Sequence, residues 1–109
     1  MSLDFILIKS RAPALSMDDV DVDDAFKQDN YRELAERLFG PVTWTVGGAI
    51  AARGKMSFEL SLNDVSLSVT ARGPGDTVAF MDNIVTLALQ EGIVTIDVQS
   101  SEVLLPLSD

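Results

Sequence analysis

Polar and apolar positions along the chain fall into short runs of definite period. The stretch from Phe58 to Val69 reads F-E-L-S-L-N-D-V-S-L-S-V. Phe58, Leu60 and Leu62 alternate with Glu59 and Ser61; beyond Asn63-Asp64, Val65, Leu67 and Val69 alternate with Ser66 and Ser68. A period of two separates an apolar face from a polar one. Two such runs joined by two turn-forming residues predict a tight β-hairpin at Asn63-Asp64. Its Ser and Glu side should meet water and its Phe, Leu and Val side should meet helices.

Other strands follow from the same reading. Leu3 to Ile8 is nearly apolar throughout, which predicts an interior strand covered on both faces, ended at Arg11-Ala12-Pro13. Val42-Thr43-Trp44-Thr45-Val46 is β-branched around a tryptophan, with Val42, Trp44 and Val46 on one face. Gly47-Gly48 is a turn, a bulge or a flexible lip; Ala49 to Ala52 continues the strand and Arg53-Gly54 turns it back, completing a three-strand meander with the hairpin. Ile93 to Val98 is a further strand with Val94, Ile96 and Val98 on one side, and Val103 to Leu105 adds a short last one before Pro106.

The period changes in two places. Tyr31, Leu34, Ala35 and Leu38 share one helical face, Asn30 is suited to cap it with Glu33 completing a capping box, and Gly40-Pro41 stops it; the spacing predicts a helix over 31–39. After the breakers Arg72-Gly73-Pro74-Gly75, Asp76 or Thr77 opens a second helix lined by Val78, Met81, Ile84, Val85 and Ala88. Phe80, Leu87 and Leu89 widen its apolar arc, which predicts the more buried of the two helices, stopped at Gly92. The resulting order is β-α-β-β-β-α-β with an extra C-terminal strand. This is an α+β class in which two helices pack on a mainly antiparallel sheet.

Composition narrows the picture. A chain of 109 residues, 47% hydrophobic, predicts a single folded domain spanning 1–109. No apolar run approaches the ~18 residues of a membrane span, and no cationic segment precedes a long apolar one, so a cytoplasmic protein is expected. The absence of cysteine excludes disulfides, thiolate metal sites and a cysteine nucleophile. The absence of histidine removes the commonest general base and metal ligand. The net charge is −9, and no Lys or Arg follows Arg72. Such a surface repels phosphate backbones, which argues against nucleic acid, and attracts a basic partner.

The charge is densest at S-M-D-D-V-D-V-D-D, Ser16 to Asp24, with five aspartates in seven residues. Asp19, Asp21 and Asp23 have the one-three-five spacing of a calcium loop. Asp24 stands where its glycine belongs and Asn30 where its closing glutamate belongs, so no metal is assigned. The remaining readings are a solvated acidic loop and a docking patch formed by Asp18, Asp19, Asp21, Asp23 and Asp24. Val20 and Val22 alternate with the acids and are placed to pin the segment to the body or to a partner.

Catalysis has little to work with. Paired carboxylates could hydrolyse a glycoside, but the acidic cluster has no aromatic run beside it. Asp97, in step with Ile93 and Thr95, is expected on an exposed face or a sheet edge. Lys55 and Ser57 lie close in sequence, yet nothing in their spacing supports a Ser–Lys pair. No catalytic residue and no cofactor is assigned, and an enzyme is not expected.

The opening Met1-Ser2-Leu3-Asp4-Phe5-Ile6-Leu7-Ile8-Lys9, followed by an acidic linker, a short helix, a meander and a closing helix–strand, resembles a group of small acidic uncharacterised proteobacterial proteins of the toxin-immunity type. The resemblance implies a bacterial cytosolic protein that binds another protein. The expected function is thus an acidic interaction domain that neutralises a basic toxin domain by occlusion, without nucleic acid or membrane. The alternatives are a homo-oligomeric (for instance dimeric) structural module, built on a strand edge or the Trp44 face, and a small ligand-binding domain.

Overall fold

The strand-forming runs assemble into one seven-stranded sheet in the computed structural model, which describes residues 2–46, 48–73 and 76–105. Met1, Gly47, Pro74-Gly75 and residues 106–109 lie outside the described residues, and with them parts of the expected Gly47-Gly48 and Gly73-Pro74-Gly75 breakers. The strands are β1 (Ser2–Lys9), β2 (Thr43–Thr45), β3 (Gly48–Arg53), β4 (Met56–Leu62), β5 (Leu67–Arg72), β6 (Ile93–Asp97) and β7 (Glu102–Leu104). They run β2-β3-β4-β5-β1-β6-β7 across the sheet, every neighbouring pair antiparallel. Two helices, α1 (Gln28–Phe39) and α2 (Thr77–Gln90), pack on one face, so the α+β class expected from the sequence holds.

Alternation decides which side chain meets the helices. Phe5 and Leu7 of β1, Phe58 and Leu60 of β4, and Leu67, Val69 and Ala71 of β5 are buried in the core with Tyr31, Leu34, Ala35, Leu38 and Phe39 of α1 and Met81, Ile84 and Ala88 of α2. Phe58 stacks on Phe80 at 4.5 Å between ring centroids and lies 5.7 Å from Phe39, tying β4 to both helices. The opposite face of β4 and β5 carries Ser57, Glu59, Ser61, Ser68, Thr70 and Arg72, with Arg72 3.5 Å from Glu59.

The central hairpin turns differently from its expected Asn63-Asp64 corner. Leu62 pairs with Leu67, leaving four residues, 63–66, in the loop. Asn63 closes it: its backbone N–H donates to the Ser66 carbonyl at 3.0 Å and its side-chain amide to the Ser66 and Ser68 hydroxyls at 3.0 and 2.9 Å. Four residues preserve the parity of two, so Leu67 and Val69 keep the face that alternation assigned them.

The run from Val42 to Ala52 also folds back on itself. Thr45 pairs with Gly48, so β2 and β3 form a hairpin of their own, and the expected three-strand meander has four strands. A Cβ on Gly48 would stand 2.1 Å from the Leu60 carbonyl oxygen; only glycine lets β3 approach β4 that closely at this point. Val42 and Trp44 pack against the core, whereas Val46, expected beside them, is fully exposed at the turn.

Helix α1 begins earlier than its apolar face suggests. Asn30 sits inside the helix, where its side chain accepts the Lys27 N–H at 2.9 Å. It still closes the N-terminus, from within rather than from the cap position. Gly40 ends the helix at φ +73°, as expected. Asp76 caps α2 by accepting the Ala79 N–H at 3.0 Å. Helix α2 is not the more buried one: α1 buries five residues, whereas α2 buries Met81, Ile84, Val85 and Ala88 and leaves Val78, Leu87 and Leu89 exposed. A single sheet face can cover only one side of the wide apolar arc.

β1 lies between β5 and β6 and is covered on both faces, as its unbroken apolar run requires. Phe5 and Leu7 face the helices; Ile6 and Ile8 face a second, smaller cluster with Ala14, Val20, Val94, Ile96 and Val103. That cluster is roofed by the segment 11–24, which crosses the sheet on the side away from the helices.

Candidate functional site

The acidic run is the outer surface of this strap. Its inner surface is Ala14 and Val20, packed on the apolar patch of β1, β6 and β7. Its ends are sewn to the end of β1. The Arg11 N–H donates to the Asp21 carbonyl and the Asp23 N–H to the Lys9 carbonyl, each at 2.8 Å. Val22 bridges Ser10, and the Ser10 hydroxyl accepts the Asp21 N–H at 3.1 Å. Between these ties the chain makes one tight turn, Met17–Asp19, in which Asp19 accepts the Leu15 N–H and the Ser16 hydroxyl, both at 3.3 Å.

The five aspartates have unequal surroundings. Arg11 draws three of them together, its guanidinium 2.7 Å from Asp24, 3.4 Å from Asp21 and 3.9 Å from Asp23. Asp23 also accepts the Ala25 N–H at 3.0 Å and is half-buried; Asp18, Asp19, Asp21 and Asp24 are exposed. One guanidinium among five carboxylates leaves the strap strongly negative while fixing its shape. Val20 turns inward, whereas Val22 contributes its backbone and keeps its side chain at the surface.

Two apolar side chains stand beside Asp18 and Asp19. Leu15 is 73% and Met17 46% exposed. With Ser16, Asp18, Ser101, Glu102 and Val103 they line a groove of about 310 Å³ between the strap and β7. Leu15, Met17 and Glu102 escaped sequence reasoning. The available signal is that Leu15 and Met17 flank Ser16 just ahead of the acids, while the inward positions belong to Ala14 and Val20.

A second hollow, about 220 Å³, opens on the helix side of the same edge, lined by Phe5, Val78, Met81, Asp82, Val85, Asp97, Leu104 and Leu105. Asp97 is therefore not on an exposed face. Its strand partner is Phe5, which places it on the helix side, half-buried, with Oδ1 accepting the Gln99 backbone N–H at 3.0 Å and the Gln99 side-chain amide. Alternation grouped it correctly with Ile93 and Thr95, but those two are core residues under the helices, and the strap covers the opposite, Val94–Ile96 side, so β6 is buried on both faces.

The other reactive types have structural settings. Lys55 is exposed in the turn between β3 and β4, and Ser57 lies on the open sheet face. Tyr31 is fully buried; its hydroxyl accepts the Lys9 N–H at 2.8 Å and donates to the Val65 carbonyl at 2.7 Å. Burial pushes its phenol above the usual range, the Lys9 hydrogen bond opposes this, and the charge of Asp23 adds to it. The Trp44 ring lies under the Arg32 guanidinium at 4.0 Å and donates its N–H to Glu36 at 3.3 Å. Among the described residues no group of three or more carboxylates is arranged to hold a metal ion. Nor is any helix there long and apolar enough to cross a membrane.

Fold and surface together define an acidic α+β domain in which two helices roof one face of a seven-stranded antiparallel sheet and an aspartate-rich strap covers part of the other. Compared with family models, with curated proteins and with solved structures, the chain finds no match.

Proposed function

We propose that the protein is a non-catalytic binding domain for a basic protein, acting in the cytoplasm, and that it neutralises a bacterial toxin domain by occluding a basic cleft. The observation that carries this reading is the placement of exposed Leu15 and Met17 beside Asp18, Asp19 and Glu102 on a strap that is tied down at both ends and carries Asp21 and Asp24 further along. Apolar anchors flanked by carboxylates suit an interface in which desolvated contacts hold the complex and charge steers the encounter. A strap already shaped by Arg11 has less ordering entropy to lose on binding.

The test replaces Asp18, Asp19, Asp21, Asp23 and Asp24 with asparagine. A partner captured by the unaltered protein from the native host should associate more slowly with the variant, with a flatter salt dependence between about 50 mM and about 300 mM salt, where screening changes strongly. Unchanged association kinetics across that span would remove the patch from the interface.

A homo-oligomeric reading draws on a different surface, the exposed Val78, Leu87 and Leu89 of α2. Sedimentation of the purified chain separates the two: a dimer indifferent to the five asparagines favours self-association.

A further inference from the structure

The two edges of the sheet are built differently. β2 ends one side, and near it Arg32 lies over Trp44. β7 ends the other, paired with β6 alone among the described strands. A hollow flanks β7 on each face. On the strap side the groove beside Val103 is lined by Leu15 and Met17 and carries Asp18 and Glu102. On the helix side the pocket beside Leu104 is lined by Val78, Met81 and Val85 and carries Asp82 and Asp97. Each combines apolar walls with carboxylates, and among the described residues neither is lined by a Lys or Arg.

An edge strand offers a row of backbone donors and acceptors to any extended chain laid beside it. Side chains of such a chain alternate between the two faces of the sheet, so successive residues would enter the two hollows in turn. Carboxylates on both flanks of one edge, Asp18 and Glu102 on the strap side and Asp97 on the helix side, in a protein of net charge −9, select for cationic residues in that chain.

We infer that β7 is the docking edge for an extended segment of the partner in which apolar and basic residues come in successive pairs, so that each face of the strand carries both, joining the sheet beside β7 and lowering its side chains alternately into the strap-side groove and the helix-side pocket. This rests on the reading that the partner is a basic protein; it adds the conformation of the bound segment and where it sits. The short length of β7, three residues, makes the backbone contribution modest and leaves affinity to the side chains in the two hollows.

The test titrates a short synthetic peptide of paired valines and arginines (Val-Val-Arg-Arg repeats), which carries both residue types on each face when extended, into the isotope-labelled full chain, followed by amide chemical shifts and hydrogen exchange. Expected are shift changes at Glu102 to Leu105 and at Leu15 to Asp18, with slowed exchange of the outward amides of β7. The same peptide N-methylated along one edge should bind about tenfold more weakly, as should the unmodified peptide to a Leu15→Ser, Met17→Ser variant. Glu102→Lys should weaken it severalfold. All of these positions are exposed, so the variants keep the fold. Shift changes confined to the strap aspartates, with no protection gained in β7, would overturn docking at the edge while leaving steering by the strap intact. Equal binding of the N-methylated peptide, absence of any response to the peptides, or a dimer of the chain itself abolished by Glu102→Lys would also overturn it. Loss of partner capture by the five-asparagine protein bears on the proposed function instead.

Discussion

Tyr31 ties three parts of the fold together through one side chain. Its ring fills the core at the start of α1, edge-on to Phe26 at 4.7 Å, and its hydroxyl bonds the end of β1 to the β4–β5 loop. Tyr31→Phe keeps the ring and leaves the Lys9 N–H and the Val65 carbonyl without this partner, which should cost about 1–3 kcal/mol in chemical denaturation. Its titration adds a second signature. The folded-state pKa is raised above the ordinary 10.0, so the unfolded chain loses this proton first as pH rises. Stability from Tyr31 is therefore complete below the ordinary value and falls above it; Tyr31→Phe should flatten that alkaline decline. Thr95 makes the opposite case. It is fully buried on the helix side of β6 and its hydroxyl has no partner among the described residues. Thr95→Val should leave stability unchanged or raise it by about 1 kcal/mol, since an unpaired hydroxyl is costly to bury. A loss of that size on thermal unfolding would mean the hydroxyl is hydrogen-bonded.

At the scale of elements, the strap and the hairpins show how local chemistry meets tertiary demand. Arg11 holds Asp21, Asp23 and Asp24 from outside, whereas Val20 and Ala14 hold the strap from beneath. The ion pairs are roughly half exposed and screened, each worth at most about 1 kcal/mol. Arg11→Gln should therefore lower global stability by less than about 1 kcal/mol and yet speed amide exchange across 11–24, because the like charges are no longer drawn together. Val20→Asp should act from the other side: a carboxylate in the second cluster would detach the strap and expose Ile6, Ile8 and Val94, costing about 2 kcal/mol or more in denaturation. Helix α2 illustrates the limit of periodicity. Its apolar residues cover more of its circumference than the sheet can, and Val78 remains 62% exposed.

At the scale of the molecule, charge is the property that distinguishes this protein. Net −9 on 109 residues favours expansion of the chain through self-repulsion, which dissolved salt screens. The melting temperature should rise with salt between about 50 mM and about 300 mM, and the rise should be smaller with asparagine at the five strap positions. Equal salt slopes in the two proteins would show that the strap carries little of the repulsion. The same field is asymmetric: β7 has carboxylates on both its flanks, while Arg32 shields Trp44 near β2.

The sequence by itself determined the two helices, most of the strands, their order and the face of most strand side chains. These depend on period, on breakers such as Gly40 and Gly92, and on caps such as Asp76, all local in the chain. It also determined the acidity and the absence of thiol and imidazole, which are matters of count. The tertiary structure alone decided where the hairpins turn, because Asn63 and Gly48 answer to partners across the sheet. It decided that β6 is buried on both sides, because the strap that covers its second side lies far away in sequence. It also decided that Leu15, Met17 and Glu102 share a groove, since the pairing of β7 with β6 brings chain positions more than eighty residues apart beside one another.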